Sequence, residues 1–180
     1  MPEATLKLND PLPPFKNLPG ADGKAYSLTD FAGKKILVVV FSCNHCPYVH
    51  AYEKRMITLQ RDYAPRGVQM IAINSNEAEN YPEDRFEKMV RRAKEKGFNF
   101  PYLRDEDQSV AEAFGATHTP QFFIFDQTRT LRYLGKMDDN WEHPEAVKEN
   151  YLRDALDAVL GGSKVAIPET YSIGCTIKWG

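Results

Sequence analysis

Six consecutive apolar residues, Ile36-Leu37-Val38-Val39-Val40-Phe41, lead through Ser42 into the motif Cys43-Asn44-His45-Cys46-Pro47. A continuous run rich in β-branched residues reads as a strand buried on both faces, so the chain must place layers above and below a sheet. After the motif the period changes. Val49, Tyr52, Met56, Leu59 and Tyr63 recur at three- and four-residue steps until Pro65-Arg66-Gly67, the pattern of an amphipathic helix. Two cysteines therefore sit where a buried strand hands over to a helix, the junction at which open α/β sheets build their sites.

The rest of the chain extends this pattern. Pro11, Pro13, Pro14 and Pro19 keep the first twenty residues extended, Ala21–Lys24 turns, and Leu28–Phe31 is one helical turn. Val68–Ile73 reads as a second strand, ending in the polar cluster Asn74-Ser75-Asn76. Pro82 opens a helix with Phe86, Met89, Val90 and Ala93 on its apolar face, and Gly97 ends it. Tyr102-Leu103 pairs briefly, and Asp107 caps a short helix that runs through Phe114 to Gly115. Gln121–Phe125 and Leu131–Leu134 form an antiparallel hairpin, and Pro144 starts a last helix that ends at Gly161-Gly162. Alternating helices and strands followed by a hairpin predict an α/β fold with a central mixed β-sheet flanked by helices on both faces.

Residues 1–162 are read as one domain with an extended N-terminal stretch, and residues 163–180 as a C-terminal tail packing on it. The tail carries Ile167, Tyr171, Ile173, Ile177 and Trp179, and leaving all of them solvated would expose an unusual apolar patch. Pro168 and Gly174 break any helix there, so the tail is expected to lie extended.

The formal net charge of −2 and pI near 6.1 give no electrostatic reason for a nucleic-acid or anionic-membrane partner. The longest apolar run is far shorter than the roughly 18 residues that suggest a membrane span. The first fifteen residues hold no uninterrupted apolar stretch and no small-residue cleavage pattern, so the expected location is the cytoplasm. Three cysteines, two in one motif, do not make a structural disulfide framework. In a reducing compartment such a pair is redox-active or metal-binding.

The thiolate is the nucleophile in sulfur chemistry, and unpaired N–H groups at a helix start favour negative charge. Cys43 is therefore expected at the helix start as the attacking sulfur, with Cys46 resolving the mixed disulfide. His45 is expected to stabilise the thiolate and so make the pair more oxidising than thioredoxin. Thr119-Pro120 stands directly before a strand, where a proline marks a turn and sometimes a cis bond. His118 precedes it and is expected near the cysteines. His50 and His143 read as solvated. Cys175 is either an inert small hydrophobe or a third thiol in exchange with the Cys43–Cys46 pair.

On these residues the chain resembles the thioredoxin-like redoxin family, in the branch with TlpA- and ResA-type thiol reductases and peroxiredoxin-like proteins. The resemblance runs from about Pro11 to Leu160 and rests on several motifs. They are Pro13-Pro14-Phe15 with Asp22-Gly23-Lys24, Ile36–Phe41 leading into Cys43-Asn44-His45-Cys46-Pro47, and Thr119-Pro120 before Phe122–Asp126. It implies a thioredoxin fold with Pro120 in cis facing the cysteines. It also implies a thiol–disulfide oxidoreductase that needs no cofactor and takes a protein or small-molecule disulfide as substrate and a thiol as electron donor.

The departures are specific. Ser42 stands where thioredoxin carries a tryptophan, and Leu37 where thioredoxins place a buried acid, with Glu53 a nearby substitute proton acceptor. Peroxiredoxins place a proline and then a threonine before their reactive cysteine; here position 40 is Val and no proline lies between Gly33 and Cys43. That argues against peroxidase as the main activity. Structural zinc would need four ligands, and no second such cysteine pair exists. Copper binding of the Sco type, through Cys43, Cys46 and His118, is the alternative that ligand chemistry allows, although Sco proteins space their cysteines by three residues.

Overall fold

The computed structural model describes residues 5–180, so the expected domain start at residue 1 lies outside the described residues. Two short strands, β1 (Leu18–Pro19) and β2 (Ala25–Tyr26), pair antiparallel before the main sheet begins. The elements that follow are β3 (Ile36–Phe41), α1 (Pro47–Tyr63), β4 (Val68–Asn74), α2 (Phe86–Lys96), β5 (Tyr102–Arg104) and α3 (Ser109–Phe114). The chain then forms β6 (His118–Thr119), β7 (Gln121–Phe125), β8 (Leu131–Gly135), α4 (Tyr151–Leu160) and β9 (Cys175–Thr176).

The central sheet is mixed, with strand order β5-β4-β3-β7-β8. β3 lies at its middle, parallel to β4 and antiparallel to β7, with Val39 opposite both Ile71 and Phe123. All six residues of β3 are buried, as a strand covered on both faces requires. Successive side chains alternate between the faces. Ile36, Val38 and Val40 pack with Tyr52, Met56 and Leu59 of α1 and Leu152, Ala155 and Leu156 of α4. Leu37, Val39 and Phe41 pack on the other side with Val110, Ala111 and Phe114 of α3, and with Leu12, Phe15 and Phe31 from the N-terminal stretch. That second layer is therefore only partly helical. At its centre Phe114 meets Phe41, Phe123 and Phe125 edge to face, at centroid separations of 5.1, 5.2 and 5.9 Å.

Three boundaries differ from expectation. Pro144–Ala146 is only a 3-10 turn, and the last helix waits until Tyr151. Between them the backbone bonds elsewhere, with Lys148 N–H on Asp139 Oδ1 at 2.9 Å and Asp139 N–H on the Glu149 carbonyl at 3.2 Å. Pro82–Asp84 is likewise a 3-10 turn before α2, and Val90 is exposed rather than part of the core. Asp107 accepts the N–H of Ser109, the first residue of α3, at 3.0 Å, but Asp105 takes those of Val110 and Ala111 at 3.2 and 3.0 Å, because α3 starts only after Gln108.

The tail runs back across the body. Ile177 is buried and Trp179 packs against the second core, but Ile167, Tyr171 and Ile173 remain exposed. Backbone hydrogen bonds hold the segment more than its apolar residues do. Ile177 N–H donates to the Thr117 carbonyl at 2.9 Å, and Glu77 N–H to the Lys178 carbonyl at 2.8 Å. Among the described residues no helix is long and apolar enough to cross a membrane.

Candidate active site

At the end of β3, Ser42 N–H still bonds the Ile73 carbonyl at 2.8 Å, so the chain leaves the sheet only at Cys43. Residues 43–46 are irregular, and Cys46, with extended backbone, is the N-cap of α1. Pro47 takes the first helical position, where its missing N–H costs nothing. The helix start thus falls on Cys46 rather than on Cys43, because Pro47 fixes where the first turn begins.

Asn44 locks the loop between the cysteines. Its N–H donates to Asp84 Oδ1 at 2.7 Å, its side-chain amide to the Glu83 carbonyl at 2.9 Å, and its Oδ1 accepts Tyr102 O–H at 2.7 Å. Its carbonyl lies 2.6 Å from His50 Nε2. A carbonyl only accepts, so Nε2 carries the proton, and His50 has a positioning contact beyond solvation. Asp84 is buried and also accepts the side-chain amides of Asn74 and Asn76, each at 3.1 Å. Sequence reasoning missed Asp84, Asn44 and Tyr102. The polar cluster after the second strand was visible, but Pro82-Glu83-Asp84 resembles any solvated acidic helix start.

The opposite wall is the Thr119–Pro120 turn, whose peptide bond is cis. Thr119 Oγ1 lies 3.4 Å from Cys43 Sγ, and the Thr119 carbonyl 3.5 Å from Cys46 Sγ. β6 pairs antiparallel with β9, with Thr119 opposite Cys175, which carries the tail cysteine into the site. Its sulfur lies 2.8 Å from that of Cys46. Of the pair, Cys175 therefore meets Cys46, because the strand register decides which sulfur it faces. All three cysteines are free thiols.

Within the reduced pair the charge settles on Cys46. A hydrogen bond with Cys46, reinforced by burial and by the Asp84 carboxylate, pushes the Cys43 thiol well above its ordinary range. The same bond from Cys43, with donors from Cys175 and the Val49 N–H, draws Cys46 well below the thiol range against the opposing effect of burial. Burial and the hydrogen bond with Cys46 push Cys175 up to about 11. One thiolate is therefore expected in the reduced protein at neutral pH, with its proton taken up only on acidification. An ultraviolet thiolate titration should show this absorbance in wild type and lose it in Cys46→Ser.

Other expected residues lie apart. His45 is exposed and has no hydrogen-bond or ion-pair partner among the described residues, so no contact carries its expected influence on the thiolate. His118 bonds Thr117 Oγ1 through Nδ1 at 2.8 Å. Because Thr119 aims its hydroxyl at Cys43, its strand neighbour His118 turns the other way. Glu53 is buried in a two-pronged pair with Arg92, at 2.5 and 2.6 Å, and both its carboxylate oxygens are taken up by that guanidinium. Among the described residues no group of three or more His, Cys, Asp or Glu is placed to hold a metal ion, and the copper alternative finds no ligand set there.

Residues 7–152 match the family model for Redoxin. The chain belongs to the Redoxin family. This Redoxin is 29% identical over 140 residues to peroxiredoxin Bcp of Escherichia coli K12, covering 77% of this chain and 84% of that protein. It is 26% identical over 133 residues to the thiol-disulfide oxidoreductase ResA of Geobacillus thermodenitrificans, covering 71% of each. Among solved structures, an uncharacterized conserved protein from Geobacillus kaustophilus superposes with a TM-score of 0.90 at 43% identity, over 97% of this chain and 93% of that one. The fold is the thioredoxin fold, and the Redoxin is a thioredoxin-like oxidoreductase.

Proposed function

We propose that the protein reduces or exchanges disulfides through a reversible Cys43–Cys46 disulfide. The observation that carries this reading is that two free thiols in one short loop face the same residue, Cys43 Sγ lying 3.4 Å from the Thr119 hydroxyl and Cys46 Sγ 3.5 Å from the Thr119 carbonyl. Cys46 has no exposed surface, sealed behind Cys175 and Thr119, whereas Cys43 keeps 2%. Within the pair, Cys43 is therefore the sulfur assigned to the incoming disulfide. Cys43 attacks after passing its proton to Cys46, and Cys46 then breaks the mixed disulfide. The substrate is a protein disulfide, the reductant a cellular thiol, and a reducing compartment such as the cytoplasm is the proposed location.

The relationship to peroxiredoxin Bcp makes peroxide the competing substrate. Assaying one preparation for dithiothreitol-driven insulin reduction and for thiol-dependent peroxide consumption separates them. Disulfide reduction well above the rate of free dithiothreitol, with peroxide turnover near background, is the expected result. The opposite ranking would make the protein a peroxidase.

A further inference from the structure

We propose that Cys175 is a third redox-active thiol of this site, exchanging with the Cys43–Cys46 disulfide at the Cys46 sulfur. This rests on the reading of Cys43 and Cys46 as a redox pair. The Cys46 and Cys175 sulfurs approach to 2.8 Å across 129 residues of sequence, nearer than thiols that merely pack. Several features fix that approach independently of the sulfurs. Thr119 lies in register opposite Cys175, and Ile177 N–H bonds the Thr117 carbonyl one step on. The last residues are tied down as well, with Lys178 N–H on Asn76 Oδ1 at 3.0 Å and its carbonyl taking Gln108 Nε2 at 2.8 Å.

Gly174 supplies the clearance. A methyl group at this position would overlap the Thr119 carbonyl group, so only glycine lets the tail lie this close to the Thr119–Pro120 turn. Of the three cysteines, Cys175 is the most exposed; it is half-buried while Cys43 and Cys46 are closed off. An inert cysteine would be enclosed by apolar side chains, whereas this one joins a sealed sulfur to the surface.

The exchange balances without an outside oxidant. The Cys175 thiolate attacks Cys46 Sγ in the Cys43–Cys46 disulfide; that bond breaks and its electron pair leaves on Cys43 Sγ. A Cys46–Cys175 bond forms, and the proton given up by Cys175 ends on Cys43. One disulfide replaces another. Cys43 is returned to its reduced state, and the oxidising equivalent moves to a bond whose outer sulfur a thiol donor can reach.

The test is mild diamide oxidation of the full chain, acid quenching, alkylation of free thiols and mass mapping of disulfide-linked peptides. Wild type should carry both Cys43–Cys46 and Cys46–Cys175 bonds, Cys43→Ser the second alone, and Cys175→Ser the first alone. Gly174→Ala should lower the Cys46–Cys175 yield at least about fivefold, as overpacking against a rigid backbone predicts, with Cys43–Cys46 unaffected. The proposal is overturned, with the pair intact, if Cys46 and Cys175 stay separately alkylated in Cys43→Ser while Cys43–Cys46 closes in Cys175→Ser. Wild type lacking the Cys46–Cys175 bond at every oxidant dose, or an unchanged yield in Gly174→Ala, also overturns it. Failure of Cys43–Cys46 to form in Cys175→Ser would remove the redox pair itself, and the proposal with it.

Discussion

Serine at position 43 is expected to lower dithiothreitol-driven insulin reduction by at least about 100-fold, because a neutral hydroxyl replaces the sulfur that opens the substrate disulfide. The loss should come without unfolding. Cys43 makes one polar side-chain contact outside the cysteine pair, to Thr119 Oγ1 at 3.4 Å, and a serine hydroxyl can keep it. Cys46→Ser should fail differently. Its Cys43 can still attack, but the mixed disulfide then has no resolving partner, so covalent complexes with insulin chains should accumulate on non-reducing gels. Cys43→Ser should form none. Complexes trapped by Cys43→Ser instead would make Cys46 the attacking sulfur, in keeping with where the charge settles in the reduced pair.

Phe114→Ala should cost about 3–5 kcal/mol of folding stability, the range for emptying a large aromatic site in a packed core. Its ring is fully buried and meets Phe41, Phe123 and Phe125 edge to face, so truncation removes three favourable ring contacts as well as buried area. Domains of ordinary stability have about 5–15 kcal/mol in total, so the urea midpoint should fall by a large fraction. Tyr171→Ala is the matched control, since its ring is 91% exposed, and its midpoint should stay with wild type. A loss at Phe114 no larger than at Tyr171 would show that this second face of the sheet does not hold the fold together.

Local chemistry made much of this architecture readable. An unbroken β-branched run dictated a strand buried on both faces, the period change after Cys46 dictated α1, and the late hairpin made the sheet mixed. What the residues could not reveal depends on partners distant in sequence. Nothing near Pro144 signals that Lys148 will bond Asp139 and so delay α4. Nothing near Asp84 signals that its carboxylate will brace the loop of the cysteine motif. The neighbour of Cys175 follows from the pairing of His118 with Thr176 and Thr119 with Cys175, and a shift of one residue would have turned its sulfur away. His45 is the converse case. Adjacency in sequence suggested an electrostatic partner, but at an exposed loop position a side chain is as free to leave its neighbour as to meet it.

A glutathione redox titration of the wild-type chain, quenched with acid and read by alkylation and peptide mass, addresses the redox pair most directly. A reversible two-electron transition is expected, in which the Cys43 thiol is lost into an intramolecular disulfide with Cys46 and is fully recovered on reduction. If Cys43 and Cys46 both remain alkylatable across the whole glutathione range, or Cys43 is lost only to irreversible sulfur oxidation, the protein does not work by disulfide exchange at this pair.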